Sequence, residues 1–152
     1  DELLNRFECE ATDMMTRLEQ SLSAQISFVE TPFYQTVSDT FFESYLMDDF
    51  CNKILRILQI EQFNDVKIRE IYRRWLFIEP LQFQSKVFST LMGKGIIRDA
   101  DSDYLAVKYY APIYFFAQQW LFSGVLSEAH KNAFRKAAYH HIEEFFAEME
   151  VA

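Results

Sequence analysis

With 152 residues, the chain is long enough for one domain with its own core, so it needs no disulfide framework. Half of the residues are hydrophobic and 17% are aromatic, but Gly and Pro number only three each. Strands joined by tight turns need more of both, so the composition favours long helices. The net charge of -8 disfavours nucleic-acid binding by this chain alone, because phosphate contacts require Lys and Arg.

The compartment is inferred from the cysteines and from the absence of targeting segments. Cys9 and Cys51 lie inside helical patterns and are interpreted as reduced thiols of a cytoplasmic protein. The first residues are charged, unlike a signal peptide. The apolar stretch 104–122 approaches the length of a membrane span. Its Lys108 and Pro112 argue against that reading, so no membrane association is expected.

The first half of the chain predicts three helices. The first runs from Asp1 to about Ser27, with apolar residues at three- and four-residue spacing. Thr31-Pro32 marks the second start, with a hydroxyl N-cap and proline at the first helical position. The second helix runs to about Met47. The acidic pair 48–49 then offers a cap for a third helix at about 50–58.

The next predicted helix begins at Asn64, interpreted as its N-cap. Pro80 falls inside its apolar pattern and predicts a kink or a break, because proline removes a backbone hydrogen bond. Gly93 and Gly95 are predicted to end it in left-handed conformations.

The central helix has one formal charge, Lys108, between Tyr104 and Phe122. A helix that is apolar on every side is expected to be enclosed. Asp99, Asp101 and Asp103 offer caps for its start, and it is predicted to end at Gly124. Ser127 begins the last helix. The predicted fold is all-α, an antiparallel bundle of about six helices in a single domain, residues 1–152.

Two segments resemble a known family. The run GIIRDAD at 95–101, followed by YYAPIYF at 109–115, resembles the penultimate-helix region of TetR/AcrR-type transcriptional regulators. The stretch 58–84, LQIEQFNDVKIREIYRRWLFIEPLQFQ, is similar to the fifth-to-seventh-helix segment of one branch. The resemblance covers about 46–149.

The resemblance implies a ligand-sensing and dimerising domain. In such regulators the last two helices pair with their copies, and ligand enters a cavity among the middle helices. The family's N-terminal helix-turn-helix is missing from this chain, and residues 1–4 resemble the start of the helix that follows it. DNA binding is therefore expected only through an absent N-terminal domain, to which the first helix, 1–27, would connect.

A homodimer is also predicted from the residues themselves. The last helix has a broader apolar face than one neighbour needs, and the central helix has no solvent face, so a second copy is expected to cover part of them. The competing interpretation is that several of these side chains belong to the monomer core. The predicted interface consists of Ile113, Phe116, Trp120, Phe134, Ala138, His141 and Phe145.

An excess of aromatic residues on inward stripes predicts a ligand cavity. Buried tyrosines need hydroxyl partners, which water or a ligand in a cavity can provide. Simple core packing competes with this interpretation at each position. The effector is predicted to be small and mostly apolar, and its contacts to be Phe41, Tyr45, Trp75, Phe83, Tyr109, Tyr110 and Tyr114.

No motif points to catalysis. The sequence has no supported Ser-His-Asp or Cys-His constellation and no glycine-rich phosphate loop, so no catalytic residue, cofactor or metal site is predicted. Arg69, Arg73 and Arg74 are interpreted as a solvated helix face rather than an anion site. The leading interpretation is a TetR-type effector domain. The alternatives are an all-helical dimeric interaction or scaffold domain without a small-molecule ligand, and a helical enzyme or carrier of hydrophobic compounds.

Overall fold

The computed structural model describes residues 1–24 and 33–151, and these form an all-α fold, as predicted. The α-helices are α1 (Glu2–Ala24), α2 (Phe33–Phe41), α3 (Asp49–Glu61), α4 (Val66–Arg73), α5 (Glu79–Gly93), α6 (Ser102–Trp120) and α7 (Glu128–Met149). Two short π-helical turns are π1 (Phe42–Leu46) and π2 (Arg74–Ile78). Within the described ranges, extended pairing is limited to an isolated bridge between Ile97 and Glu150.

The chain divides into two compact units, Asp1–Glu79 and Pro80–Ala152, called unit 1 and unit 2 below. This division does not test the prediction that residues 1–152 form a single domain, which stays a prediction. Among the described helices, none is both long and apolar enough to cross a membrane.

Unit 1 is built on the apolar stripe of α1. Phe7, Ala11, Met14 and Leu18 recur at three- and four-residue spacing and are buried, as the sequence pattern predicts. The helix packs against α2 and α3. Residues 25–27 of the predicted first helix and the predicted start at Thr31-Pro32 lie outside the described residues.

The caps of α3 and α4 are both aspartates. The Asp48 side chain accepts from the backbone N–H of Cys51 at 3.0 Å, which confirms the predicted start of α3. For α4 the predicted cap, Asn64, is wrong. Asp65 has the extended backbone of an N-cap and accepts from Lys67 N at 2.9 Å and Ile68 N at 3.4 Å.

The two π turns widen the helix by one residue each. The N–H of Met47 donates to the carbonyl of Phe42, and that of Glu79 to the carbonyl of Arg74, so each bond spans five residues instead of four. The predicted break at Pro80 is wrong, because residues 66–93 are helical without interruption through α4, π2 and α5, whereas a kink there stays a prediction. Pro80 lies in the first turn of α5, directly after π2.

Unit 2 consists of α5, α6 and α7, with α6 and α7 packed along each other. Asp101 caps α6 by accepting from Asp103 N at 3.0 Å, and Ser127 caps α7 by accepting from His130 N at 3.1 Å. Both caps agree with the sequence pattern.

The glycines follow the prediction in part. Gly95 has φ +73° and Gly124 has φ +75°, conformations that glycine adopts without a steric penalty. Gly93 is instead the last helical residue of α5, so the predicted left-handed cap there is wrong. The central helix ends at Trp120, earlier than the predicted Gly124, and the N–H groups of Leu121 and Phe122 both donate to the Ala117 carbonyl, at 2.8 and 2.9 Å.

Helix α6 is amphipathic in its own unit rather than enclosed on all sides. One face is buried and carries Leu105, Ala106, Tyr109, Tyr110, Ile113 and Ala117. The opposite face exposes 63% of Tyr104, 47% of Val107 and 61% of Phe115. Thus the apolar composition of α6 serves a core on one side and leaves large apolar side chains in solvent on the other.

Candidate functional site

Three of the predicted ligand contacts come together in unit 1. The rings of Phe41 and Tyr45 lie 5.5 Å apart, and the Tyr45 hydroxyl donates to the Trp75 carbonyl at 2.7 Å. All three side chains are buried. Because Tyr45 belongs to π1 and Trp75 to π2, this hydrogen bond ties the two π turns to each other.

Helix α1 contacts both π turns through consecutive residues. The ring of Phe7 stacks on Tyr45 with 6.1 Å between centroids. The indole Nε1 of Trp75 donates to a carboxylate oxygen of Glu8 at 3.1 Å. A displacement of either aromatic side chain would therefore act directly on α1.

The other predicted ligand contacts lie in unit 2, and Tyr109 forms the centre of an aromatic cluster there. Its ring centroid is 5.4 Å from Phe88, 5.1 Å from Phe145 and 5.9 Å from Phe146. The edge-to-face arrangement of these rings is typical of a packed aromatic core.

Tyr110 and Tyr114 are one turn apart on α6, with ring centroids separated by 6.4 Å. Tyr110 is buried, whereas Tyr114 is half-buried and its hydroxyl accepts from the Gln118 side chain at 3.0 Å. Phe83 of α5 is buried.

An open groove of about 620 Å³ lies between α1 and π2, within unit 1. We call it the Arg74 groove. Trp75 is the one predicted ligand contact among its lining residues, which are Thr12, Met15, Thr16, Glu19, Gln20, Ser23, Arg74, Trp75 and Glu79. The Arg74 guanidinium lies over the Trp75 ring, 4.6 Å from its centroid, and the Arg74 Nε is 3.5 Å from a Glu79 carboxylate oxygen.

The π turn accounts for this ion pair. Residues four apart are neighbours on an α-helix, whereas residues five apart point to different sides. Hydrogen bonds that span five residues bring Arg74 and Glu79 to the same side of the chain. The π turn thus places Arg74 and Glu79 side by side in the lining of the Arg74 groove.

A second open groove, of about 700 Å³, lies on the other side of Thr16 and is lined by Glu10, Asp13, Thr16, Arg17, Glu43, Ser44 and Asp48. Ligand atoms of Glu10, Asp48 and Cys51 lie within 4.8 Å of one another, a spacing that suits a metal ion. However, burial, followed by the nearby Asp48 and Glu10 carboxylates, raises the pKa of the Cys51 thiol. The thiol is therefore protonated at neutral pH, and it donates to a Glu10 carboxylate oxygen at 3.8 Å.

The seven predicted interface residues differ in how much of their side-chain surface is exposed to solvent. Ile113, Phe134, Ala138 and Phe145 are buried within the chain, between 0% and 8% exposed, so they offer a partner little surface. The half-buried members are Phe116, Trp120 and His141. The interface stays a prediction, and only these three offer appreciable side-chain surface to a partner.

Two histidines of α7 have defined partners in unit 2. His141 Nε2 lies 2.8 Å from the Tyr109 carbonyl, which can only accept, so that nitrogen carries the proton. His141 thereby links α7 to the middle of α6. His130 Nδ1 lies 3.0 Å from the Val125 carbonyl, and its ring is 5.6 Å from that of Trp120.

Sequence reasoning missed the polar residues of the Arg74 groove. Thr12, Thr16 and Ser23 are weak helix formers placed at helical spacing on one side of α1, and this signal was available in the sequence. The sequence gives no comparable signal for the pairing of Arg74 with Glu79, because that pairing depends on a π turn.

A search of solved structures found a similar crystal structure from Mesorhizobium loti, described as that of a candidate TetR-family transcriptional regulator. The sequences are 17% identical, the TM-score is 0.76, and the match covers 93% of this chain and 70% of that chain. The chain therefore has a TetR-like fold. A scan against protein-family models and a search of curated proteins found no match.

Proposed function

We propose that this chain is the ligand-sensing and homodimerising domain of a TetR-type transcriptional regulator. The TetR-like fold supports the proposal. DNA is bound by an N-terminal helix-turn-helix domain outside this chain, and the protein works in the cytoplasm. The chain itself performs no catalysis and needs no cofactor or metal.

The observation that carries the dimer is the apolar stripe on the exposed face of α6. Tyr104, Val107 and Phe115 recur at helical spacing and are about half to two-thirds exposed. Large apolar side chains in a row on one face are typical of a protein–protein contact. The half-buried Phe116 and Trp120 belong to the same helix.

The remaining interface residues take two roles in this proposal. His141, half-buried on α7, contributes to the contact. The buried residues support the contacting helices from within unit 2; they are Ile113, Phe134, Ala138 and Phe145. Two copies of α6 and α7 would then form a four-helix arrangement, as the family resemblance implies.

We assign the effector contacts separately to the two units. In unit 1 they are Phe41, Tyr45 and Trp75. In unit 2 they are Phe83, Tyr109, Tyr110 and Tyr114. The contacts of Phe7 with Tyr45 and of Glu8 with Trp75 support a route by which a small apolar effector would displace α1 and thereby bias the arrangement of the DNA-binding domains.

The dimer is tested by the solution mass at micromolar concentration. The wild-type chain is expected to have twice the mass of one chain by analytical ultracentrifugation. Phe115→Glu should give a monomer, because a charge in a desolvated contact is costly. The matched control is Phe63→Glu, since Phe63 is 82% exposed and lies in unit 1. A monomeric wild type, or a dimer that survives Phe115→Glu unchanged, contradicts the proposed interface.

The effector is tested by tryptophan fluorescence. The chain has two tryptophans, so in Trp120→Phe the emission comes from Trp75 alone. Titration with a panel of small aromatic compounds is expected to change that emission in a saturable manner. No response to any member would favour the alternative described next.

The alternative is an all-helical dimeric scaffold domain without a small-molecule ligand. The specific observation in its favour is that six of the seven proposed effector contacts are at most 8% exposed, which agrees with simple core packing. On this alternative the dimer forms, and Trp75 emission is insensitive to the compound panel.

A further inference from the structure

The Arg74 guanidinium lines its groove and has two contacts that orient it. One face of the group lies over the Trp75 ring at 4.6 Å, and its Nε faces Glu79 at 3.5 Å. Neither Nη1 nor Nη2 makes a hydrogen bond to any residue in the described ranges. These two nitrogens form the fork that matches a carboxylate, and the stacking reduces the entropy lost on binding.

The wall contributed by α1 is polar except for Met15. Thr12, Thr16, Gln20 and Ser23 are exposed and recur at three- and four-residue spacing, so they line one side of the groove. The Thr12 hydroxyl donates to the Glu8 carbonyl at 2.7 Å and keeps its lone pairs for a ligand. The volume of about 620 Å³ is in the range of small-molecule sites.

The charges of the groove select the ligand class. It contains one guanidinium, Arg74, and two carboxylates, Glu19 and Glu79. A simple anion would be attracted by Arg74 but repelled by Glu19 and Glu79, and a simple amine would leave the guanidinium fork unused. A molecule with both a carboxylate and an ammonium group satisfies both sides.

We propose that the Arg74 groove binds a free α-amino acid. Its carboxylate accepts from Nη1 and Nη2 of Arg74, and its ammonium group donates to Glu19 on α1. Glu19 already has a partner, but a carboxylate has about four acceptor positions, so an ammonium group can be added. The site does not depend on the proposed apolar effector or on the dimer, since all its residues lie in unit 1.

The experiment uses the whole chain and the twenty protein amino acids, each tested separately at millimolar concentration by thermal melting and calorimetry. At least one amino acid is expected to raise the melting temperature and to bind with one-to-one stoichiometry per chain. The same amino acid without its carboxylate, and the same without its ammonium group, should bind at least about tenfold more weakly. Absence of binding by all twenty, or equal binding of either analogue, overturns the proposal.

Variants locate the binding. Arg74→Gln and Glu19→Gln are each expected to weaken it by about 10- to 100-fold, because each removes a charge-assisted hydrogen bond. Arg74→Lys, which keeps the charge but loses the fork, should remain impaired. The matched control is Arg73→Gln, the exposed neighbour that does not line the groove, and it should bind as wild type. Wild-type affinity in both Arg74→Gln and Glu19→Gln overturns the site, and Glu19→Gln keeps the test valid should Arg74→Gln fold poorly.

Discussion

Tyr45 and Trp75 join the two π turns of unit 1 through one hydrogen bond, from the Tyr45 hydroxyl to the Trp75 carbonyl at 2.7 Å. The turn π2 inserts one residue into the helical segment 66–93, whereas π1 ends the helix that begins as α2, and π-helical turns occur often at functional sites. Here they place two predicted ligand contacts against each other and against α1. Two residues of the turn Arg74–Ile78, Arg74 and Trp75, line the Arg74 groove.

Removing the Tyr45 hydroxyl should destabilise unit 1. Tyr45→Phe leaves the buried Trp75 carbonyl without this donor, and we expect the free energy of unfolding to fall by about 1–2 kcal/mol. Urea denaturation followed by circular dichroism measures it. Tyr104→Phe removes the same atom from a ring that is 63% exposed and should change stability little. Equal effects of the two substitutions would mean that the Tyr45 bond contributes nothing specific.

The cap of α4 gives a second test, because Asn64 was predicted and the adjacent Asp65 is the cap. Asp65→Ala removes the acceptor of two backbone N–H groups and should cost about 1 kcal/mol. Asn64→Ala, one residue earlier, should be nearly neutral. Thermal unfolding of the two variants under the same conditions measures the difference, and the reverse order would restore Asn64 as the cap.

Local signals predicted the helices and most of their starts. Asp48, Asp101 and Ser127 cap the helices they were expected to cap, since a cap depends on one side chain and the next three residues. The prediction of Asn64 as the cap of α4 was wrong by one residue, and the side chains of Asn and Asp can both cap a helix. The backbone conformation decides, and Asp65 has the extended dihedral angles and the hydrogen bonds of a cap.

Non-local features were less accessible to sequence reasoning. An apolar stripe does not tell whether its partner is a helix of the same chain or of a second copy. Phe134 and Ala138, predicted at the interface, are fully buried within the chain, whereas Phe115, not predicted there, is 61% exposed. Likewise, the period of a regular α-helix would put Arg74 and Glu79 on different sides. Their ion pair therefore could not be predicted without knowledge of the π turn.

Stability at alkaline pH should depend on Cys51. Burial raises the pKa of its thiol above the ordinary value of 9.0. Below pH 9 the thiol is protonated in both the folded and the unfolded chain. Above pH 9 the unfolded chain loses this proton while the folded chain keeps it, so stability falls as pH rises, by at most about 1.4 kcal/mol per pH unit.

The measurement compares urea denaturation of the wild type and of Cys51→Ala between pH 8 and pH 10.5. Cys51→Ala is expected to be less stable at pH 8, because it leaves a cavity, but to lose less stability as the pH rises. Cys9→Ala, which leaves Cys51 in place, is the control and should follow the wild type. Parallel pH profiles for the wild type and Cys51→Ala would contradict a protonated, buried thiol.

The hydrogen bond from His141 to the Tyr109 carbonyl connects α7 to the middle of α6, three residues before Pro112. His141→Leu removes the donor and the ring contacts with Tyr109 and Phe145, whose centroids lie 6.0 Å away in each case. We expect a loss of about 1–2 kcal/mol in unfolding free energy by urea denaturation.

His140→Leu, at the exposed neighbouring position, should lose less than about 0.5 kcal/mol of unfolding free energy. His141→Gln, which can still donate to a carbonyl, should fall between His141→Leu and the wild type. If His141→Gln were as unstable as His141→Leu, the ring contacts rather than the hydrogen bond would hold the two helices together at this point.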